Sequence, residues 1–395
     1  MDRQVDDRFG DLNKSAGKAR VEAVLLNIAR ASERTPLTFV AFQKVSGGLT
    51  ATVSAASPAF SLGPHGPTAA VQRDISIGNS TLGGSSSATN SMDLTIIESQ
   101  EFYHSLLDPG DLVTFFHFLQ GYPRELLFWI FVDSVRISAV DRTKPEKKEI
   151  VELQNSVFDR ESCRDTTMGR LCFRHMVELA MLLGVTIQPK ELGFNTNAAL
   201  DANNAKNADS KNTASQDKSN TARICIDPFL KQRTEIFIHQ ARRDYKPSAV
   251  IQKLMAAASA SPNCYSPFVL DRNYPGRLIL RSVTPNRIYQ YEIIPRSTFA
   301  IYQYLGRILG EGKTDKMVVT GLEPETLRDR RILNIVMDRT TNCEFTVTLR
   351  EQTYCVPNEN SELTDQVFHI LIQLMALKLR ANDIGLSPTL RATLQ

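Results

Sequence analysis

The chain is 395 residues long, with 46 basic and 43 acidic side chains and a net charge of +3. The two signs are interspersed, so no basic face of the kind that grips nucleic acid stands out, and no nucleic-acid partner is expected. A hydrophobic content of 42% is ample for buried cores. The longest apolar runs, 126–132 and 367–379, fall short of the ~20 residues that a membrane-spanning helix needs.

In chain order, Val21, Val24, Leu25, Ile28 and Ala29 recur at helical spacing and predict an amphipathic helix over 15–34. Thr35-Pro36 stops it, because proline disfavours helix at the residue before it. Residues 37–42 then read as a strand that feeds the most unusual segment, 47–98. There Leu49, Ala51, Val53 and Ala55 alternate with Thr and Ser, the period-two pattern of a strand with one apolar and one polar face. Pro58, Pro64, Gly66 and Pro67 interrupt it; Ile75 and Ile77 follow, then a Gly/Ser-rich run, then Leu94 and Ile96 at alternate positions. The segment predicts an extended β-hairpin-like arm.

Helices are predicted over 100–107 and 112–119, and from Pro123 to about 137, where 126–132 is apolar all round and so buried on most sides. Another is predicted over 166–183, closed by Gly184 in the usual C-terminal capping place, with a strand at 185–188. Residues 195–221 are Asn, Ala, Lys, Ser and Asp with almost no large apolar side chain, and predict a loop or linker without fixed structure. Beyond it, strands are predicted at 223–226, 235–239, 277–283, 287–294, 316–322, 331–338 and 343–351. Helices are predicted at 248–258, 296–309 and 361–381, the last apolar on one face and suited to covering a sheet.

The fold class is therefore α+β. A mainly helical domain of 1–46 plus 99–194 carries the arm at 47–98; the linker, 195–222, leads to a mixed α+β domain at 223–395 with a C-terminal covering helix.

No sequence pattern marks a catalytic or ligand-binding chemistry. Gly306 to Thr314 resembles a phosphate-binding loop ending in Gly-Lys-Thr, but the spacing fails and a helix precedes it where a strand should. The six histidines never fall at ligand spacing, the cysteines form no Cys-x-x-Cys pair, and no Gly-x-Ser-x-Gly elbow occurs. No catalytic residue, cofactor or metal is expected. Tyr289, Tyr291, Tyr302 and Tyr304 are assigned to core rather than to base stacking. Of the six cysteines, Cys163 with Cys172 and Cys343 with Cys355 are the nearest pairs; disulfides and free buried thiols both remain open, and with them the compartment.

Leu25-Leu26-Asn27-Ile28-Ala29-Arg30, Pro36-Leu37-Thr38-Phe39, Glu101-Phe102, Gly121-Tyr122-Pro123-Arg124-Glu125-Leu126-Leu127, Arg296-Ser297-Thr298 and Tyr304-Leu305-Gly306 carry a resemblance. The chain resembles uncharacterised proteobacterial cell-envelope proteins, many of which look like outer-membrane lipoproteins. The resemblance implies a location on the periplasmic side of the outer membrane, although residues 1–20 lack an export signal and a lipid-bearing cysteine, which leaves the cytoplasm as the alternative. From these readings the expected function is a non-enzymatic envelope component that forms a homo-oligomeric ring with other envelope proteins as partners. Leu49, Ala51, Val53, Ala55, Ile75, Ile77, Leu94 and Ile96 form its oligomer or membrane arm. The alternatives are a soluble binding or adaptor module that uses 47–98 as a recognition loop and, less favoured, a hydrolase with dispersed catalytic residues.

Overall fold

A computed structural model describes residues 2–54, 83–109, 112–141, 148–166, 169–189, 222–258, 278–283, 287–324, 330–338, 341–379 and 389–394. The arm positions Ala55, Ile75 and Ile77, and the linker at 195–221, lie outside them.

Helix α1 (Asp2–Ser32) starts well before the predicted boundary and stops where Arg34 takes a left-handed φ of 56° ahead of Pro36. Strands β1 (Val40–Ser54) and β2 (Gly83–Ile96) follow. Three short helices come next: α2 (Gln100–Leu107), capped by the Ser99 hydroxyl, α3 (Leu112–Leu119) and α4 (Arg124–Phe131). The predicted helix from Pro123 to about 137 ends at Phe131, and β3 (Val132–Asp141) begins at the next residue. Hydrogen-bonded neighbours on both edges of β3 override helical propensity there. Strand β4 (Lys148–Gln154), the single turn α5 (Asp159–Ser162), and the hairpin β5 (Cys163–Thr166) and β6 (Gly169–Cys172) lead to α6 (Phe173–Leu183). The helix predicted over 166–183 thus starts later, because 163–172 is a hairpin stapled by the Cys163–Cys172 disulfide. Gly184 ends α6 with φ 68°, and β7 (Val185–Pro189) follows.

Strand β8 (Ala222–Ile226) pairs with β7, and α7 (Pro228–Ala241) follows. The strand predicted at 235–239 lies inside α7, which the Asp227 side chain caps and Pro228 opens. Next come α8 (Ala249–Ala258), β9 (Leu278–Val283), β10 (Arg287–Pro295) and α9 (Thr298–Gly310). The strand predicted at 316–322 is reduced to one bridge, Val318 with Arg331, and that at 331–338 to β11 (Val336–Met337). Finally β12 (Cys343–Leu349), β13 (Gln352–Pro357), α10 (Glu362–Lys378) and β14 (Thr389–Leu394) complete the chain. Cys343 and Cys355 form a second disulfide across β12 and β13.

The α+β class holds, and every strand pair among the described residues is antiparallel. The largest sheet of the body has the order β4-β3-β10-β9, so segments 99–194 and 223–395 contribute two strands each to one sheet. Sheet β11-β13-β12 lies against α1, and the C-terminal helix α10 packs on α1, α2 and α9. Helix α9 crosses α1 at glycine. A Cβ on Gly306 would sit 2.3 Å from the Ala31 Cβ, and one on Gly310 would sit 2.9 Å from the Ser32 carbonyl oxygen. Here the Gly306–Thr314 segment is the end of a helix and its turn, with Gly312 left-handed at φ 61°. Beside the crossing, Phe39 packs edge-on against Phe102 and Tyr302 at 5.6 Å each.

Candidate functional site

Strands β1 and β2 pair without interruption from Val40 with Ile96 to Ser54 with Gly83, apart from one irregularity between Phe42 and Lys44. At roughly 3.4 Å per residue, a 14-residue strand spans about 45 Å. Positions 49, 51 and 53 stand opposite 88, 86 and 84, which places them on the face of the ribbon shared with Leu94 and Ile96. The irregularity makes that face continuous, for the extra residue puts Phe42 and Val40 back in phase with Leu94 and Ile96. Five of the eight predicted arm residues therefore fall on one face.

The base of the ribbon shows which face packs on the body. Phe39, Ala41 and Ile97 are buried, at 2%, 4% and 0% exposure, whereas Val40 and Ile96 on the opposite face are only half-buried. The face in phase with Leu49 is thus the one turned away from the body core at the base. Asn27 fixes the approach: its amide donates to the Thr38 carbonyl at 2.8 Å and accepts from the Thr38 N–H at 3.0 Å. Strand β14 adds a third strand to β2, from Thr389 opposite Thr95 to Leu394 opposite Asn90.

Below the arm, the direct passage from α4 to β3 leaves the last carbonyls of α4 without helical partners. Arg296 supplies them. Its guanidinium donates to the carbonyls of Trp129 at 3.2 Å, Ile130 at 3.4 Å and Asn155 at 2.8 Å, meets Asp133 at 3.2 Å, and stacks 3.5 Å from the centre of the Tyr304 ring. A cation at a helix C-terminus is also favoured by the helix dipole. Asn155 completes the clasp: its amide donates to Trp129 and Val132 carbonyls, and its Oδ1 accepts from the Tyr304 hydroxyl at 2.7 Å. Burial pushes that phenol up to about 12, so it stays a donor.

Outside the clasp lies a cleft of about 950 Å³, walled by Asp133, Phe158, Glu161, Gln303, Arg307 and the end of α1. Arg307 donates to Glu161 at 2.7 Å and stacks on Phe158; its hydrogen bond, with that of Ser156, holds the Glu161 carboxyl below the usual range. Within the cleft wall Arg296 is paired with Asp133 and Arg307 with Glu161, and Arg34 and Glu311 also line it.

A second buried polar group sits at the start of α4. Arg124 Nε pairs with Glu323, whose other oxygen accepts the Glu125 N–H at 2.9 Å. The Glu125 carboxylate, fully buried, accepts from the backbone N–H groups of Thr320 and Gly321, with the Gly321 contact at 3.2 Å. Desolvation, reinforced by the nearby Glu323 charge, pushes Glu125 up to about 7. Sequence reasoning missed these roles, although Asn27, Arg124, Glu125, Arg296 and Tyr304 all lie in the stretches that carry the envelope-protein resemblance.

Among the described residues no group of three or more His, Cys, Asp or Glu could hold a metal ion, and no helix is long and apolar enough to cross a membrane. Comparison with family models, with curated proteins and with solved structures finds no match for the chain.

Proposed function

We propose that the chain is a non-enzymatic structural component of a cell-envelope assembly, in which copies form a ring and pool their β1–β2 arms as a barrel or pore in the outer membrane. The observation that carries this reading is the ribbon itself, whose apolar-patterned face points away from the face that packs on the body. Its length exceeds the ~30 Å hydrocarbon core of a bilayer, and tilted strands absorb the excess. Two disulfides suit an oxidising compartment such as the periplasm. The same reading makes further copies and other envelope proteins the partners.

Imaging of the full chain in detergent should show rings, and the chain should sediment with liposomes. Val53→Arg places a charge on the outward face and should abolish sedimentation, at a cost of about 2–4 kcal/mol near a bilayer midplane. Thr52→Arg, of opposite parity, should leave it intact. Equal behaviour of the two variants sinks the barrel reading. It would favour the second reading, a soluble binding module, for which the cleft beside Arg307 is the supporting observation.

A further inference from the structure

Strand β2 is bordered unequally. On one side β1 pairs along its whole length, from Ile96 to Gly83; on the other, β14 pairs only from Thr95 to Asn90. Among the described residues, no strand borders the edge of β2 over 83–89, and none borders the outer edge of β1. Resting on the reading of the arm given above, we propose that a second copy of this chain fills the open edge of β2 with the outer edge of its own β1. The pairing is antiparallel over 83–89, and β14 sets the point where it stops.

Composition separates the two halves of the ribbon. Neither 48–54, Gly-Leu-Thr-Ala-Thr-Val-Ser, nor 83–89, Gly-Gly-Ser-Ser-Ser-Ala-Thr, contains a charged residue or a proline. Those are the usual devices by which a solitary edge strand resists pairing. The base is different. Register places positions 44, 93 and 391, which are Lys, Asp and Arg in the sequence, in one cross-strand row. Among the described residues the outer half is a two-stranded ribbon, an arrangement marginal in water by itself, whereas the inner half has three strands.

Direction selects the occupant. Strands β1 and β14 both run antiparallel to β2 and hence parallel to each other. Copies related by rotation about an axis along the arms keep that sense, so a neighbour's β1 arrives beside β2 running the same way as β14. The C-terminal strand therefore holds, within one chain, the lane that the neighbour's β1 takes farther out. It blocks that strand from sliding toward the base, and each copy offers one donor edge and one acceptor edge, the condition for a closed ring.

Cross-linking between single-thiol copies tests this. In full chains carrying Cys225→Ser and Cys264→Ser, Thr52→Cys copies are mixed with Ser85→Cys copies and oxidised; because each copy has one free thiol, any bond formed joins two chains. A parallel mixture uses Val45→Cys and Met92→Cys, whose β2 position lies beside β14. The 52/85 mixture should form mixed dimers in high yield and the 45/92 mixture should not. Ending the chain after residue 388 should make the 45/92 mixture cross-link and broaden the size distribution of the assemblies. An unchanged body unfolding midpoint for each variant shows that the fold persists. Rings without 52/85 cross-links overturn the edge pairing and leave the ring reading standing. Cross-linking of 45/92 in the full chain overturns the role of β14, and a monomer at every concentration, in detergent and with liposomes, overturns both.

Discussion

At the end of α4, carbonyls stripped of helical partners are met by Arg296 and Asn155, and at its start two carboxylates accept from backbone N–H groups while Arg124 donates to Glu323 and to the Val185 carbonyl. In the arm the outer edges of β1 and of β2 over 83–89 meet no strand among the described residues. The body has thus matched its backbone polar groups in places where a mismatch is most costly, while two strand edges of the arm are unpaired among the described residues. The first arrangement stabilises the body itself; the second is where the proposed pairing between copies would act. Stability and assembly should therefore respond to separate sets of substitutions.

The largest effect should come from Arg296→Ala, which leaves the Ile130 and Asn155 carbonyls without their guanidinium donor in a buried setting and Trp129 with the Asn155 amide alone. A loss of about 3–5 kcal/mol in urea unfolding is expected, and Arg296→Lys should recover little of it, since an ammonium cannot reproduce the planar fork. A loss below about 1 kcal/mol would show that the clasp is dispensable.

Next is the pH dependence of the body. Glu125 has its carboxyl raised to about 7 by burial, above the unfolded value, so its contribution is complete below the ordinary carboxylate range and is lost as pH climbs to about 7. Stability should fall over that window by on the order of 3 kcal/mol, and Glu125→Gln should flatten the slope. A slope of equal size in that variant would assign the titration elsewhere.

Gly306→Ala comes third. Its Cβ would meet Ala31 at 2.3 Å, so α1 and α9 must move apart, at about 1–3 kcal/mol by the same unfolding measurement. The smallest effect sharpens the contrast: Val53→Arg, expected to disrupt the proposed assembly, should change the body's unfolding by no more than about 0.5 kcal/mol.

What could be read from the sequence was what repeats locally. The alternation of Leu49, Ala51 and Val53 stands in β1, and the helices at 100–107, 248–258 and 296–309 stand close to their predicted bounds because apolar spacing and caps lie within each segment. The misses have physical reasons. Residues 126–132 are apolar without a break, so nothing local marks the change from helix to strand at Phe131 and Val132. Ile236 and Ile238 imitate a strand's period, but the Asp227 cap and Pro228 commit the segment to α7. Strand β14 is six residues whose meaning depends on a partner at the other end of the chain, and Arg296 acts on carbonyls 141 to 167 positions earlier. No window on the sequence contains such pairs.

The reach of Arg296 also bears on the order in which the chain acquires its structure. Until residue 296 has been synthesised and α9 has docked, the end of α4 and the start of β3 have only the Asn155 amide and water to meet their carbonyls, so that junction cannot be completed early. Closing loops of this length before their contacts are gained slows folding. The nascent N-terminal half should therefore wait, open at its centre, for its second half. The arm, whose two strands lie closer in sequence, is free to pair before the body that carries it is finished.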